Sequence, residues 1–168
     1  AKLNFTGLKY GIDILFKPED IDDSAGSWNN PLSPKVSGCK FLKSDLMNTP
    51  FEDGLFQYIT CLSVIEHEVD YDKLTSECLR LLSKGGKLFI TFDYWSPKID
   101  TEAKRLYDRS WNILDQNDVM VLIDLCAKNG LYLTSEIDWN TQEQVINPSY
   151  CSPSDVSYTF GILMFEKK

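Results

Sequence analysis

Hydrophobic residues change their spacing repeatedly along the first half of the chain. Residues 9–16, 39–43 and 56–63 are short, mostly apolar runs rich in β-branched or aromatic types, which predicts buried strands. Between Asp70 and Gly85 the apolar residues instead recur every three or four positions, the period of an amphipathic helix. Aspartate is a common N-cap, and glycine supplies the positive φ that ends a helix, so we expect the helix between these two residues.

The second half of the chain begins with residues 87–94, a nearly continuous apolar run. This pattern is typical of a strand covered on both faces. A second helix is predicted to begin at Asp115, which with Asp118 forms a capping pattern, and to end at Asn129 and Gly130.

Two further strands are predicted at residues 131–137 and 157–166, and we expect them to form an antiparallel pair at a sheet edge. Gly161 lies inside the second of them and predicts a bulge or a close approach by another backbone. The alternation of strands and helices indicates an α/β fold with a mostly parallel sheet. At 168 residues, 43% of them hydrophobic, the chain is expected to form a single domain over residues 1–168.

Charge and composition limit the partners. Seventeen Lys and Arg against 25 Asp and Glu give a net charge of −8, which repels nucleic acid. No apolar run reaches the roughly 18–20 residues of a membrane span, and no secretory leader opens the sequence. The cysteines are too far apart for paired metal ligands. We therefore expect a cytoplasmic protein with no nucleic-acid partner, no membrane partner and no metal.

A series of short motifs between residues 44 and 86 resembles the middle of class I S-adenosylmethionine-dependent methyltransferases. The motifs of that family follow one another in a fixed order. They are a strand-end acid, a Pro-Phe turn, a strand, an Ile-Glu-His or Leu-Glu-His, a helix with Glu and Arg, and a Gly-Gly turn. Their order and spacing together make the resemblance specific. The matching positions are Ser44-Asp45, Pro50-Phe51, residues 56–59, Ile65-Glu66-His67, Glu77 with Arg80, and Gly85-Gly86.

The resemblance implies a Rossmann-like sheet with helices on both faces and an antiparallel C-terminal strand pair. The family's first strand and its glycine-rich turn, near E/D-x-G-x-G, have no counterpart in the eight residues before Lys9, which contain only Gly7. We therefore expect an N-terminally truncated version of the fold. The implied function is methyl transfer from S-adenosylmethionine to a small molecule or glycoconjugate precursor; the alternative is a non-catalytic module that serves as a partner subunit.

The predicted cofactor site uses acidic residues at strand ends. Carboxyl ends of parallel strands line the ligand crevice of such folds, where Asp13 can accept both ribose hydroxyl protons. Asp45 can accept the adenine amino group while the Leu46 amide meets a ring nitrogen. The alternatives are an ordinary solvated acid at Asp13 and a turn or N-cap aspartate at Asp45. The resemblance implies further contacts from Ile14, Ser44, Leu62 and Ser63.

His67, the single histidine, is the predicted catalytic residue. An imidazole titrates near neutral pH and can take a proton from the methyl acceptor. The alternative is a binding or structural role in the pocket wall or at the next helix. Positioning alone can support methyl transfer, so a missing base would not exclude activity.

Three aromatic residues, Tyr94, Trp95 and Trp111, are the predicted substrate contacts, because they follow a strand end on the same rim. Their rings could stack on the acceptor and exclude water. The alternative is a hydrophobic cover over the core. A missing central strand would also leave neighbouring strand edges exposed, so a homodimer or a rearranged sheet is a further expectation.

Overall fold

The structure is a computed structural model that describes residues 7–14, 21–22, 27–28, 39–101, 104–106, 108–140, 143–147 and 155–168. It forms two compact units, Ala1–Pro50 and Phe51–Lys168. The expectation of one domain over residues 1–168 stays a prediction.

The first unit contains a parallel strand pair. Strands β1 (Lys9–Asp13) and β4 (Cys39–Lys43) pair in register from their first residues to their last. The short strands β2 (Ile21–Asp22) and β3 (Ser27–Trp28) form a separate antiparallel pair. Because β1 and β4 are parallel, their carboxyl ends lie at the same edge, with Asp13 opposite Lys43.

The second unit is built on a four-stranded sheet in the order β5-β6-β10-β9. Strand β5 (Phe56–Leu62) is parallel to β6 (Leu82–Tyr94). The two-residue strands β7 (Arg105–Leu106) and β8 (Arg109–Ser110) form a separate antiparallel pair. Strand β10 (Thr159–Lys167) is antiparallel to both β6 and the edge strand β9 (Leu131–Leu133). The predicted α/β fold class and its antiparallel C-terminal pair are confirmed.

Two helices begin where capping residues predict them. Helix α1 (Tyr71–Leu81) begins after Asp70, whose carboxylate accepts hydrogen bonds from two backbone amides of the first turn. Helix α2 (Gln116–Lys128) begins with a reciprocal capping box between Asp115 and Asp118. Within the described ranges, no helix is long and apolar enough to cross a membrane.

The end of α1 differs from the prediction. The helix ends at Leu81, and Leu82 is already extended and paired with Phe56 of β5. Leu82 is fully buried, so its place in the core overrides a helical pattern that continues to Gly85. Gly85, with φ 73°, lies instead within β6, where the pairing with β5 shifts register.

Arg80 of α1 fastens the segment that leads into β5. Its guanidinium donates to both carboxylate oxygens of Glu77, at 2.8 and 2.7 Å. The same group donates to the Phe51 carbonyl and to Asp53, both at 2.7 Å. The Glu and Arg of the recognised motif therefore have a structural role, since they fix how the chain enters the parallel pair.

Both described helices cover the same face of the sheet. Cys61 of β5, Cys78 of α1 and Cys126 of α2 are all buried, and Cys78 is close enough to the other two thiols to sense their charge. The predicted helices on the second face do not lie within the described residues. On that face the described side chains of Leu62, Phe160 and Ile162 are 50–68% exposed. Dimerisation stays a prediction.

Gly161 of β10 lies against the aromatic ring of Phe92 in β6. A Cβ at this position would stand 2.4 Å from a ring carbon of Phe92, which is itself buried. The predicted close approach therefore exists, but a side-chain ring makes it rather than another backbone. Glycine is required here because the neighbouring ring fills the space that a side chain would need.

Replacing Gly161 with alanine is expected to lower the free energy of unfolding by about 1–3 kcal/mol, because overpacking forces the Phe92 ring from its position. Urea denaturation measures this change. Gly7→Ala is the control, since a Cβ on Gly7 meets nothing within 4 Å, and we expect a change below about 0.5 kcal/mol. Equal effects of the two substitutions would contradict the proposed cause.

Candidate functional site

Asp13 lies at the carboxyl end of β1 in the first unit, and its side chain is exposed. Its carbonyl accepts a hydrogen bond from the Ser44 amide at 3.3 Å, which joins the ends of β1 and β4. Ile14, the next residue, is 42% exposed. The structure thus brings Asp13, Ile14 and the residues that follow β4 to the same edge of the parallel pair.

Asp45 forms a tight turn directly after β4. Its Oδ1 accepts the Met47 amide at 2.8 Å, and its carbonyl accepts the Asn48 amide at 3.1 Å. This is the turn-aspartate geometry that the sequence left open as an alternative. A carboxylate can accept several hydrogen bonds through two oxygens, so the turn orients Asp45 without using its whole accepting capacity.

In the second unit, Leu62 and Ser63 end β5. Leu62 is 60% exposed, and Ser63 adopts a positive φ of 50°. The Ser63 amide donates to the carbonyl and the hydroxyl of Thr91 on β6, at 3.1 and 3.0 Å. A shallow, mainly apolar depression of about 460 Å³ opens here, lined by Leu62, Ser63, Thr91, Phe160, Gly161 and Ile162.

Glu66 and His67 lie in the turn that follows β5. His67 is half-buried, and its amide donates to the Val64 carbonyl at 3.0 Å. The imidazole is near the Asp93 carboxylate at the end of β6, and its positive charge lowers the Asp93 pKa. The two side chains are therefore close enough to interact electrostatically. The catalytic role of His67 stays a prediction.

The Glu66 carboxyl is buried more deeply than the sequence suggests. It is 2% exposed, and neither oxygen makes a hydrogen bond of normal geometry to a described residue. Burial raises the pKa of Glu66 to about 7, and the Asp93 charge adds to the rise; nearby backbone amides of Glu66 and Asp93 offset part of it. Glu66 is therefore a proton-exchanging group near neutral pH.

Asp93 is the second buried acid. It is 6% exposed, and its Oδ2 accepts the indole N–H of Trp111 at 2.8 Å. Burial raises its pKa, while the hydrogen bond from Trp111 and the charge of His67 oppose the rise. Asp93 could not be found from the sequence, because nothing local distinguishes it from an ordinary strand residue; its partner Trp111 lies 18 positions further along the chain.

The predicted substrate aromatics are mostly inside the protein. Tyr94 is 5% exposed and Trp111 is 1% exposed, so the alternative of a hydrophobic cover over the core describes both of them. Their rings pack against neighbouring aromatic rings, and the predicted role of these two residues as substrate contacts stays a prediction. Trp95 is half-buried and packs against the buried cluster that contains Trp111. Its role as a substrate contact also stays a prediction.

Residues 9–90 match the model of a family described as a methyltransferase domain. Norajmaline N-methyltransferase of Rauvolfia serpentina is 27% identical over 80% of this chain and 44% of its own length. A ubiquinone/menaquinone biosynthesis C-methyltransferase of Idiomarina loihiensis is 25% identical over 66% of this chain and 43% of its own length. The chain thus spans less than half the length of these relatives.

Solved structures share the fold at low identity. A methyltransferase of Methanosarcina mazei aligns with a TM-score of 0.59 at 13% identity and covers 94% of this chain and 81% of its own. Geranyl diphosphate C-methyltransferase of Streptomyces coelicolor gives 0.56 at 16% identity over 78% of this chain and 53% of its own. The cyclase SpnF aligns with a TM-score of 0.56 at 16% identity and covers 77% of this chain and 56% of its own. The fold therefore accommodates more than one reaction.

Proposed function

We propose that the chain is a class I S-adenosylmethionine-dependent methyltransferase, which binds S-adenosylmethionine and transfers its methyl group to a small organic molecule. The observation that carries the proposal is the parallel β1–β4 pair, which ends at one edge in Asp13 and the Ser44-Asp45 turn. The alternative, a non-catalytic module, has no observation in its favour.

The residues at this edge suit an adenosine. The exposed Asp13 carboxylate can accept both hydroxyl protons of a ribose, as acids at such strand ends do. Asp45 retains an oxygen beyond its turn contact and can accept an exocyclic amino group, while the half-buried Leu46 offers its amide. Ile14 and Ser44 complete the proposed adenosine contacts. Leu62 and Ser63, in the second unit, are proposed as further cofactor contacts.

When bound, S-adenosylmethionine supplies an electrophilic methyl group on a sulfonium. The chain must then exclude water and orient the acceptor, which can contribute several kcal/mol to lowering the barrier. His67 is proposed to take the proton lost by an oxygen or nitrogen acceptor. Trp95 is proposed to contact the acceptor.

The acceptor is proposed to be predominantly apolar. The depression at the end of β5 is lined by aliphatic and aromatic side chains, with hydroxyls only from Ser63 and Thr91. The relatives named above include enzymes of norajmaline and of ubiquinone/menaquinone, and a structural neighbour was solved with geranyl diphosphate. These names support an apolar small molecule over a sugar-containing precursor.

Thermal unfolding with S-adenosylhomocysteine tests the proposal, since a ligand that binds the native state alone raises the melting temperature. At a hundredfold excess over its Kd the ligand stabilises by about 2.7 kcal/mol. We expect a rise in melting temperature of several degrees for the native chain and less than half of it for Asp13→Asn.

Asp124→Asn removes the same charge from an exposed position on α2 and is expected to retain the full ligand response. No rise with millimolar ligand in the unsubstituted chain would favour the non-catalytic alternative. An equal rise in Asp13→Asn would show that the ligand binds away from β1.

A further inference from the structure

Residues 110–114, here called the rim segment, are fastened over the carboxyl ends of β5 and β6. Alternate backbone amides of the segment each reach an acceptor on an acidic residue. Ser110 donates to the Glu68 carboxylate at 2.8 Å. Asn112 donates to the Glu66 carbonyl, and Leu114 to the Asp93 carbonyl, both at 3.0 Å. The segment therefore runs as an extended strap over the two strand ends.

Trp111 anchors the middle of the rim segment. Its indole N–H reaches the Asp93 carboxylate at 2.8 Å, and its ring packs edge-on against Tyr158 at 5.4 Å between centroids. The side chain is 1% exposed. The strap thus carries a large, buried apolar group that is hydrogen-bonded to the Asp93 carboxylate, while the next residue, Asn112, is bonded to the Glu66 backbone.

The carboxyl groups of Glu66 and Asp93 lie close enough together that the charge of Asp93 acts on Glu66. Asp93 has Trp111 as a donor, whereas no described residue donates a hydrogen bond of normal geometry to the Glu66 oxygens. A buried carboxylate without a donor is costly, and a second negative charge beside it adds to the cost. The arrangement is therefore stable when Glu66 carries a proton.

We propose that Glu66 and Asp93 form a proton-controlled latch, in which a proton on the pair keeps the rim segment closed and loss of that proton releases it. Release would uncover the carboxyl ends of β5 and β6, beside the predicted catalytic residue His67 and the predicted acceptor contact Trp95. The latch goes beyond the proposed function, and it operates whether or not a cofactor is bound.

The charged and titratable groups around Glu66 and Asp93 favour a state in which the two carboxyl groups together carry one proton. His67, next in the chain, supplies a charge that favours ionised Asp93 rather than ionised Glu66. Three further titratable groups interact with Glu66 or Asp93; burial raises the pKa of Cys61 and of Tyr71, and Tyr158 donates a hydrogen bond to Asp93. Cys61 lies on β5, Tyr71 on α1 and Tyr158 before β10.

The pH range follows from the pKa values of Glu66. In the closed state this pKa is about 7, and in an open, solvated state it returns to the ordinary carboxyl value near 4.5. The closed state is therefore fully favoured below the lower value, and opening becomes easier as the pH rises between the two. Each pH unit within this range changes the open population by up to about tenfold.

Hydrogen exchange measured residue by residue tests the latch. Between pH 5 and pH 7.5, we expect protection factors of the Asn112 and Leu114 amides to fall at least tenfold after correction for intrinsic exchange. Their exchange is expected to depend less on low urea than that of Ile90, a fully buried residue of β6, because only the strap opens. In Glu66→Gln, which mimics the protonated acid, the fall is expected to be less than threefold.

Glu68→Gln is the control, because Glu68 also accepts a hydrogen bond from the rim segment but is exposed. In this variant the protection factors of the Asn112 and Leu114 amides are expected to fall with rising pH as they do in the unsubstituted chain. An unchanged pH dependence in Glu66→Gln would overturn the proposal. So would exchange of Asn112 and Leu114 with the same protection and urea dependence as Ile90, since the segment would then open only when the whole unit unfolds.

Discussion

Replacing Trp111 with alanine is expected to lower the free energy of unfolding by about 4 kcal/mol. Large-to-alanine substitutions of buried aromatic residues cost about 3–5 kcal/mol, and Trp111 is 1% exposed. The substitution also removes the donor at 2.8 Å from a buried Asp93 oxygen, which adds the cost of an unsatisfied acceptor. Urea denaturation at pH 6, followed by circular dichroism, measures the loss.

Trp111→Phe separates the two contributions, because it keeps most of the ring and removes only the indole N–H. We expect it to cost about 1–2 kcal/mol. Trp139→Ala is the comparison for a tryptophan that is only half-buried, and its cost is expected to be less than half that of Trp111→Ala. A similar cost for Trp139→Ala and Trp111→Ala would contradict the anchoring role.

Glu66→Gln is expected to stabilise the protein at pH 8, by about 2–3 kcal/mol. The native pKa of Glu66 is raised from 4.5 to about 7, so the unfolded chain releases its proton first and stability falls as the pH rises between these values. One unit of pKa corresponds to about 1.4 kcal/mol. Glutamine matches the protonated acid in shape and cannot ionise, so the variant loses this pH dependence.

The measurement is urea denaturation of both proteins from pH 5 to pH 8. At pH 5 the two free energies of unfolding are expected to agree within about 1 kcal/mol, and the difference should grow toward pH 8. Glu68→Gln is expected to destabilise the protein at neutral pH, because backbone and side-chain hydrogen bonds to Ser110 lower the pKa of Glu68. Its stabilising contribution is present at neutral pH and is lost as the pH falls. If the difference in free energy of unfolding between the unsubstituted chain and Glu66→Gln did not change with pH, the raised pKa of Glu66 would be contradicted.

Local patterns in the sequence determine much of this fold. The alternation of apolar runs predicted β4 with its observed limits, and the helical period with Asp70 and Asp115 as caps predicted where α1 and α2 begin. These features depend on residues a few positions apart. The end of α1 was predicted wrongly, because the burial of Leu82 depends on Phe56, which is distant in sequence.

In the candidate site, too, some features depend on residues close in sequence and others on residues far apart. Asp13 and the Ser44-Asp45 turn could be found because strand-end acids follow directly from strand positions. The burial of Trp111 and the acid pair beneath it could not, since Glu66, Asp93 and the rim segment come from three separated parts of the chain. A sequence pattern marks Glu66 only as the middle of Ile-Glu-His and does not reveal what covers it.

Mapping of S-adenosylhomocysteine on the isotope-labelled chain by NMR tests whether the strand-end aspartates bind the methyl donor. We expect the ligand to shift the amide signals of Asp13, Ile14 and residues 44–46, and we expect Asp13→Asn to weaken binding at least tenfold. Shifts confined to other parts of the chain, or no shifts at millimolar ligand, would contradict the assignment of the strand-end aspartates to the methyl donor.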